Sequence, residues 1–411
     1  MADVIEQAGG RYPVISADCH AGGSHAQYRE YLDPQYRDEF DAWRGGYRNP
    51  FDDLGDRRRF RNWDDDMRNE QQEADGVIGE VVYPNTVPPF FPSFVLFAGP
   101  PKPEEYELRH AGVRAHNRWL ADFCSRAPER RAGVGQIFLN DVDDAIEDVK
   151  WIKEHGLRGG ILLPNVAPDV KWVKPINDPV YDPLWEVIQD LDVVVNVHGG
   201  TGLPNYGGYD TDMLFYINEV FFYSQRPLVH MILGGVFERF PRLRFVLAEI
   251  GCHWVPGVLD QMDRIIEQIR THGASGEMRY PDACRLPKLA SEYFQQNCSM
   301  AVSMPVHSDV AAIETIGIDK FMWGSDYPHD EGTYPFTREH LRQIFPAFTP
   351  AELTQVLTTN AARMYDFDLD ALAPLAAQYG PTVDELAVPL DQLPDEPNEA
   401  LLRGIGIGMR V

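Results

Sequence analysis

Acidic and imidazole side chains stand at the ends of several apolar, β-rich runs in this sequence. Asp18 and His20 end ISADCH, His198 ends VVVNVH, and Asp326 ends KFMWGSD. Residues two apart in an extended chain point to the same side, so Asp18 and His20 can face one point. Gathered together without a counter-ion, these carboxylates would repel one another, and a divalent cation would offset that repulsion. The mixed nitrogen and oxygen donors favour Zn²⁺, with Mn²⁺ or Fe²⁺ as alternatives.

Positioning such residues requires strands that alternate with helices. Helical patterns such as Asp141–His155, Pro179–Leu191 and Trp254–Arg270 separate the β-rich runs, which is typical of βα units around a parallel sheet. No G-x-G-x-x-G motif follows the first run, so a doubly wound sheet is the weaker alternative. We therefore predict a (β/α)₈ TIM barrel, an α/β fold. Its predicted strands are Pro13–Asp18, Ile78–Tyr83, Gly133–Leu139, Gly159–Leu163, Asp192–His198, Arg244–Glu249, Tyr293–Cys298 and Lys320–Asp326.

The order of these strands makes the metal hypothesis stronger than any single residue does. Taken alone, His198 or Asp326 is more often a hydrogen-bonded core residue than a ligand. In a closed barrel, however, the first and eighth strands are neighbours, and the fifth and sixth lie across the mouth. The polar side chains therefore converge, together with Glu249 at the end of the sixth predicted strand.

Two long insertions and a C-terminal tail extend the predicted barrel. Residues 21–68 follow the first strand and residues 84–102, rich in proline and aromatic residues, follow the second. Both leave the face where barrels build active sites, so they can form a lid and a pocket wall, or pack against a partner subunit. Within 55–66, GDRRRFRNWDDD, the arginines can bind a substrate carboxylate or pair with the neighbouring aspartates. We predict a barrel domain at 1–366 and a tail at 367–411 that packs on the barrel or a partner.

Composition narrows the classes of partner. A formal net charge of −26 makes nucleic acid or an anionic membrane an improbable partner, which leaves a small-molecule substrate. The five cysteines are scattered without a C-x-x-C pair, so no disulfide framework or thiolate zinc site is predicted. The N-terminus MADVIEQAGG lacks a secretory pattern, and no apolar run approaches the roughly 18 residues of a membrane span. We expect a cytoplasmic protein.

A set of motifs resembles a known enzyme family. ISADCH, VNVHGG, VLAEIG and MWGSDYPHDEG, followed by TTNAARMYDF at 358–367, are similar to the amidohydrolase-related family, and especially to its aminocarboxymuconate semialdehyde decarboxylase-like branch. The resemblance covers most of residues 13–367, and GSDYPH is its most specific element. It implies a (β/α)₈ barrel with a divalent metal at the carboxyl ends of the strands, and a homodimer.

Residue by residue, the resemblance implies Asp18, His20, His198 and Asp326 as metal ligands. The first-strand motif departs from the usual His-x-His, since Asp18 stands at its first position. Glu249 stands where the decarboxylase-like branch commonly has histidine. The fourth run ends LLPNV without a lysine to bridge two metals, so one metal ion is expected.

Three functions stay open at this point. The preferred hypothesis is hydrolysis of an amide, lactone or C–C bond in a small aromatic or cyclic carboxylic acid derivative, by water that the metal activates. Asp326 would accept the proton of that water, and Glu249 or His253 would protonate the leaving group. The alternatives are non-oxidative decarboxylation of a hydroxybenzoate-like acid and a non-catalytic metabolite-binding barrel. Hydrolysis is preferred because Glu249 replaces the histidine of the decarboxylase-like branch.

Overall fold

Eight parallel strands form the central sheet of the computed structural model, which describes residues 2–48, 59–93 and 98–405. The strands lie side by side in chain order from the first to the eighth. Their bounds are β1 Val14–Ala21, β2 Val77–Pro84, β3 Arg131–Gln136, β4 Gly160–Leu162, β5 Val194–His198, β6 Arg244–Ala248, β7 Cys298–Ser303 and β8 Phe321–Gly324.

Backbone hydrogen bonds close the sheet into a barrel between β1 and the segment that follows β8. The Asp326 N–H donates to the carbonyl oxygen of Asp18 at 2.9 Å, and the His20 N–H donates to that of Tyr327 at 2.7 Å. The predicted (β/α)₈ architecture is therefore confirmed. The same two bonds set the first and last polar clusters of the sequence side by side.

Helices cover the outside of the barrel and fill its connections. The predicted helices at Asp141–His155 and Trp254–Arg270 match the observed ones within two residues. The helices are α1 Ala2–Gln7, α2 His25–Tyr31, α3 Arg37–Gly46, α4 Asp65–Asp75, α5 Tyr106–Ser125, α6 Val142–Glu154, α7 Asp182–Asp190, α8 Asp212–Leu233, α9 Val236–Arg239, α10 Val255–His272, α11 Ala290–Asn297, α12 His307–Ile316, α13 Thr337–Ile344, α14 Pro350–Thr354, α15 Asn360–Tyr365, α16 Leu369–Tyr379, α17 Val383–Leu386 and α18 Glu399–Gly404.

The seventh predicted strand was wrong in position. Residues 293–298 were expected to be extended, but most of them belong to α11, and the strand begins at Cys298. The helix buries Ala290, Tyr293, Phe294 and Asn297, whose spacing of three, four and seven residues is that of one helical face. The real strand, CSMAVS, consists mainly of small residues and carries little β signal.

The two insertions were predicted to form a lid or to meet a partner. The first contains α2 and α3, and residues 49–58, including Arg57 and Arg58, lie outside the described part of the chain. Asp65 pairs with Arg126 at 2.6 Å and with Arg131 at 2.5 Å. In the second insertion, residues 94–97 lie outside the described ranges, and Phe91 is fully buried.

The described part of the tail packs against the barrel at two places. Leu372 and Ala376 of α16 join the apolar interior at the amino-terminal end of the strands, near Ile15. The Asn398 side-chain amide donates to the carbonyl oxygens of Gly332 and Thr333 at 2.8 and 2.9 Å, in the loop that follows β8. The domain boundary at 366/367 and a contact with a partner subunit stay predictions.

None of the helices in the described residues combines the length and the apolar character that crossing a bilayer requires. All five cysteines are free thiols, and four of them are buried.

Asp75 is expected to make the stability of the fold depend on pH. It is buried at the end of α4, where its carboxyl accepts a hydrogen bond from the Thr337 N–H at 3.0 Å. Burial raises the pKa of Asp75 to about 7. Because the folded pKa exceeds the unfolded one, the favourable contribution is complete below about pH 4 and is lost as the pH rises to about 7.

We predict that Asp75→Asn, which keeps the acceptor oxygen, raises the melting temperature at about pH 8 and changes it little at about pH 4.5. The gain in unfolding free energy at the higher pH is at most about 4 kcal/mol. Thermal unfolding of both proteins across this pH range is the measurement. An equal shift at both pH values would contradict the assignment.

Candidate metal centre

The structure brings the four predicted ligands together at the carboxyl-terminal mouth of the barrel. Asp18 and His20 come from β1, His198 is the last residue of β5, and Asp326 lies two residues beyond β8. All four side chains are buried. Convergence at this face follows from the parallel sheet, in which every strand ends at the same rim.

Their ligand atoms fall into two overlapping groups that share His20, and the atoms of each group lie within 4.8 Å of one another: Asp18, His20, His198 and Glu249 form one, and His20, Asp326 and His329 the other. His20 Nε2 lies 3.2 Å from Asp326 Oδ1 and 3.5 Å from Asp18 Oδ1. His198 Nε2 lies 3.4 Å from the same oxygen of Asp18. Adjacent ligands about 2.1 Å from one divalent cation are separated by about 3.0 to 3.5 Å, so the observed spacing fits such an ion.

Backbone carbonyls fix which nitrogen of each imidazole faces the cluster. Nδ1 of His20 lies 3.3 Å from the Pro84 carbonyl oxygen, and Nδ1 of His198 lies 2.9 Å from that of Gly199. Because a carbonyl only accepts, Nδ1 is the nitrogen that keeps its proton when the ring is neutral. Each Nε2 faces carboxylate oxygens, and a cation bound there would take the place of its proton.

Two buried polar atoms at the centre have no hydrogen-bond partner among the described residues. They are Nε2 of His20 and Oδ2 of Asp326. Orphaned polar atoms of this kind are costly unless something else binds them. The residues present therefore fit a divalent metal ion.

Glu249 stands beside this cluster. Its Oε2 lies 3.3 Å from Nδ1 of His198, and 24% of its side chain is exposed. Desolvation, together with the negative charge of Asp326, raises the pKa of Glu249 to about 8. Burial alone would lower the pKa of His198, but the carboxylates of Asp18 and Glu249 outweigh it and raise that pKa to about 9.

Two acidic residues of the site, Glu249 and Asp326, have an unusual backbone conformation. Glu249 has φ of 54° and Asp326 has φ of 61°, the left-handed region that residues other than glycine rarely occupy. Such conformations cost about 1–3 kcal/mol each and persist where the surrounding fold imposes them. Glu249 directly follows β6 and Asp326 lies two residues beyond β8, so both unusual conformations occur where the chain turns at the barrel mouth.

His253, which was predicted to act as an acid, and His329, in the loop that follows β8, have different contacts. His253 Nδ1 is 3.1 Å from Asp309 Oδ1, and 56% of its side chain is exposed, so its ring contacts α12 and not the cluster. His329 Nδ1 is 2.8 Å from Asp326 Oδ1, and its Nε2 is 3.1 Å from Asn85 Oδ1. The structure therefore places His329, the last residue of the GSDYPH motif, against a predicted ligand.

Sequence reasoning missed Ser303 altogether. Its hydroxyl donates to Oδ2 of Asp18, the oxygen that does not face the histidines. Ser303 ends β7, the strand that was placed too early in the chain, and that error hid its position at the rim. A correct boundary would have aligned it with His198 and Glu249.

A pocket of about 210 Å³ opens at the same rim of the barrel, where Gly200 and Thr201, which follow β5, belong to its lining. Its lining comes from the ends of β3, β4 and β5 and the loops that follow them. It includes Phe138, Leu162, Tyr206 and Tyr216, and also Ala98–Pro100 from the second insertion. No charged side chain belongs to its described lining, so it suits a flat, apolar ligand.

The model of the amidohydrolase family matches residues 18–367. The chain belongs to the amidohydrolase family. This match spans the barrel and every predicted site residue, and it confirms the resemblance seen in the sequence motifs.

Curated relatives in the amidohydrolase family are decarboxylases. Gamma-resorcylate decarboxylase of Rhizobium radiobacter is 25% identical over 266 residues, 62% of this chain and 76% of the relative. The 2-amino-3-carboxymuconate-6-semialdehyde decarboxylase of Dictyostelium discoideum is 26% identical over 281 residues, 66% and 68% of the two chains.

The solved structures show the same fold. A 5-carboxyvanillate decarboxylase of Novosphingobium aromaticivorans, complexed with manganese and 4-hydroxy-3-methoxy-5-nitrobenzoic acid, aligns with a TM-score of 0.65. It is 18% identical and covers 88% of this chain and 97% of its own.

These relatives support one of the functions predicted from the sequence, decarboxylation, better than the others. Hydrolysis, the preferred prediction, is supported only at the level of the superfamily, whereas decarboxylation is the activity of the named relatives. A divalent metal is supported, but zinc is not, because the solved relative contains manganese. The predicted homodimer and cytoplasmic location are not tested.

We predict that a divalent metal stabilises this fold through the cluster. After removal of metal with EDTA, adding MnCl₂ should raise the melting temperature, because a ligand at a hundredfold excess over its Kd stabilises by about 2.7 kcal/mol. Asp326→Asn, which removes one carboxylate charge, should lose most of this rise. Differential scanning fluorimetry across a metal titration measures both effects.

Asp330→Asn is the matched control, since Asp330 is exposed in the same loop. It should keep the full response to metal. A variant at Asp326 that responds like the unaltered protein would remove this residue from the ligand set.

Proposed function

We propose that this protein is a metal-dependent carboxy-lyase that removes CO₂ from a hydroxybenzoate-like acid. The observation that carries the proposal is the presence of grouped, mostly buried metal-ligand atoms and of an uncharged, partly aromatic pocket at the same rim of the barrel. The activity of the named relatives supports the same reaction.

Asp18, His20, His198 and Asp326 are the proposed ligands of one divalent ion. Two carboxylates and two imidazoles form a mixed oxygen and nitrogen set that can hold Mn²⁺, which the solved relative contains. When bound, the ion supplies positive charge that holds the carboxylate and a neighbouring hydroxyl oxygen of the substrate. Ser303 orients Asp18, and His329 orients Asp326, each through the hydrogen bond that fixes its carboxylate.

Glu249 is the proposed proton donor. Decarboxylation replaces the bond between the ring and the carboxylate with a C–H bond, so the ring carbon must gain one proton. Burial and the neighbouring carboxylates raise the pKa of Glu249, which favours a protonated carboxyl that can donate to the ring carbon. After the transfer, the C–C bond breaks, its electron pair returns to the ring, and CO₂ leaves. The exposed part of Glu249 allows water to return the proton.

The pocket supplies the binding surface for the ring. Phe138 and Leu162 provide apolar contact area, and the second insertion, through Ala98–Pro100, covers one side. Such walls exclude water and strengthen electrostatic interactions with the carboxylate. His253 lies between β6 and α10, and its contact with Asp309 of α12 does not support its predicted role as an acid, so that role stays a prediction.

A substrate panel tests the proposal directly. We expect the manganese-loaded protein to release CO₂ from at least one hydroxybenzoate and to leave ester and amide analogues intact. Release of acid from the esters or amides without CO₂ would instead establish hydrolysis. A protein that binds metal stoichiometrically and is inert on both panels would favour a binding function.

Glu249→Gln tests the proton donor. We expect kcat to fall by about 10²–10⁴-fold because the amide cannot donate an acidic proton, while metal binding is kept. Deuterium incorporation at the ring carbon in D₂O should slow by the same factor. Glu267→Gln, on the exposed side of the helix that follows Glu249, is the control and should leave both rates unchanged. Full activity of the Glu249 variant would assign the proton to another group.

A further inference from the structure

Gln136, the last residue of β3, points toward the barrel axis at the mouth. The alternate residue Gly135 faces the outer helices, where an added Cβ would lie 2.5 Å from Ile152. Val134 therefore faces inward with the other interior apolar residues, and Gln136 lies on the same side as Val134. The side chain of Gln136 is buried and lines the pocket.

The backbone of Gln136 is held independently of its side chain. Its N–H donates to Oδ1 of Asn117 at 2.8 Å, and Nδ2 of Asn117 donates to the Gln136 carbonyl oxygen at 2.8 Å. This reciprocal pair anchors the end of the strand to α5. The side-chain amide of Gln136 takes no part in these two hydrogen bonds.

Both polar atoms of that side chain lack a partner among the described residues. Nε2 and Oε1 of Gln136 are each buried without a hydrogen bond. An amide that is left unsatisfied in this way is costly, and a leucine would fill the space without that cost. The pairing must therefore come from something that enters the pocket.

Three other polar side chains of the pocket already form hydrogen bonds within the protein: Asn165, Thr201 and Tyr206. The Asn165 amide donates to the carbonyl oxygens of Thr201 and Tyr223, at 3.2 and 2.9 Å. The Thr201 hydroxyl donates to the His198 carbonyl oxygen at 2.9 Å, and the Tyr206 hydroxyl donates to Glu219 at 2.9 Å. The described lining holds no cation that could balance a second carboxylate.

We propose that Gln136 is a specificity-determining residue that binds a hydroxyl substituent on the substrate ring. The inference rests on the proposed function and deepens it, because it defines the substrate as a monocarboxylic acid with a second polar, uncharged group. A hydroxyl donates to Oε1 or accepts from Nε2 and so matches an amide in either orientation. A methoxy group only accepts, and a methyl group satisfies neither atom.

Gln136→Leu, together with salicylate derivatives that carry an added hydroxyl, methoxy or methyl group, provides the test. We expect the unaltered protein to prefer the hydroxyl derivative over the methyl derivative by about tenfold or more in kcat/KM. In Gln136→Leu this ratio should fall to about one, mainly through KM. The melting temperature should stay equal or rise, since the variant no longer buries an unpaired amide.

Two outcomes would overturn the inference. One is a hydroxyl preference that survives in Gln136→Leu. The other is a lower melting temperature with an equal loss on every derivative, which is the signature of a structural role. Leu162→Met alters the shape of the same pocket without changing its hydrogen bonding, and this control should keep the hydroxyl preference.

Equilibrium binding separates this inference from the proposed function. Calorimetry with resorcinol and with its dimethyl analogue, meta-xylene, needs no turnover, so it reports on Gln136 even if no derivative releases CO₂. About tenfold weaker resorcinol binding in Gln136→Leu without CO₂ release from any substrate would support the role of Gln136 and refute decarboxylation. Unchanged resorcinol binding would refute the role of Gln136.

Discussion

Closure of the barrel forces two carboxylates into one buried space, and the rest of the site depends on that constraint. The backbone bond from Asp326 to Asp18 joins the ends of the first and last strands, so their side chains cannot separate without opening the sheet. Like charges in a medium of low dielectric repel strongly. Contacts of Nδ1 with backbone carbonyl oxygens turn Nε2 of His20 and of His198 inward, toward these carboxylates.

A second network of buried charged side chains lies beneath the site, and its members pair with one another. Arg68 and Arg131 both contact Glu80, and Arg68 also donates to the His20 carbonyl oxygen at 2.8 Å. Burial would raise the pKa of Glu80, but Arg68 outweighs it and holds that pKa at about 2. Every charge there has an internal partner. At the mouth, Nε2 of His20 and Oδ2 of Asp326 have none in the described chain, which distinguishes a binding site from a structural ion network.

The parts that surround the site arrive from distant stretches of the sequence. The loop that follows β8 carries Asp326 and His329, and Asn398 of the tail holds that loop through its carbonyl groups. Asn85, after β2, holds the other nitrogen of His329. These contacts orient the predicted ligands, so the tail and the loops belong to the functional unit as much as the strands do.

The sequence by itself determined the barrel, the strand order and the polar residues at the strand ends. The alternation of apolar and polar residues and the length of apolar runs are local signals, and they can be recognised without any knowledge of packing. For that reason the sequence places Asp18, His20, His198, Glu249 and Asp326 in or just beyond the ends of their strands, where the structure also has them. The seventh strand was misplaced because the apolar spacing of a short buried helix resembles a β run, and Ser303 was missed with it.

Only the tertiary structure decided what each of these residues contacts. His253 and His329 are equivalent in sequence terms, yet one packs on Asp309 and the other on Asp326. Gln136 is an unremarkable polar residue until the pocket shows that nothing in the described chain pairs with its amide. The physical reason is that hydrogen bonding and desolvation depend on neighbours brought together from distant strands, and one strand's pattern carries no record of them.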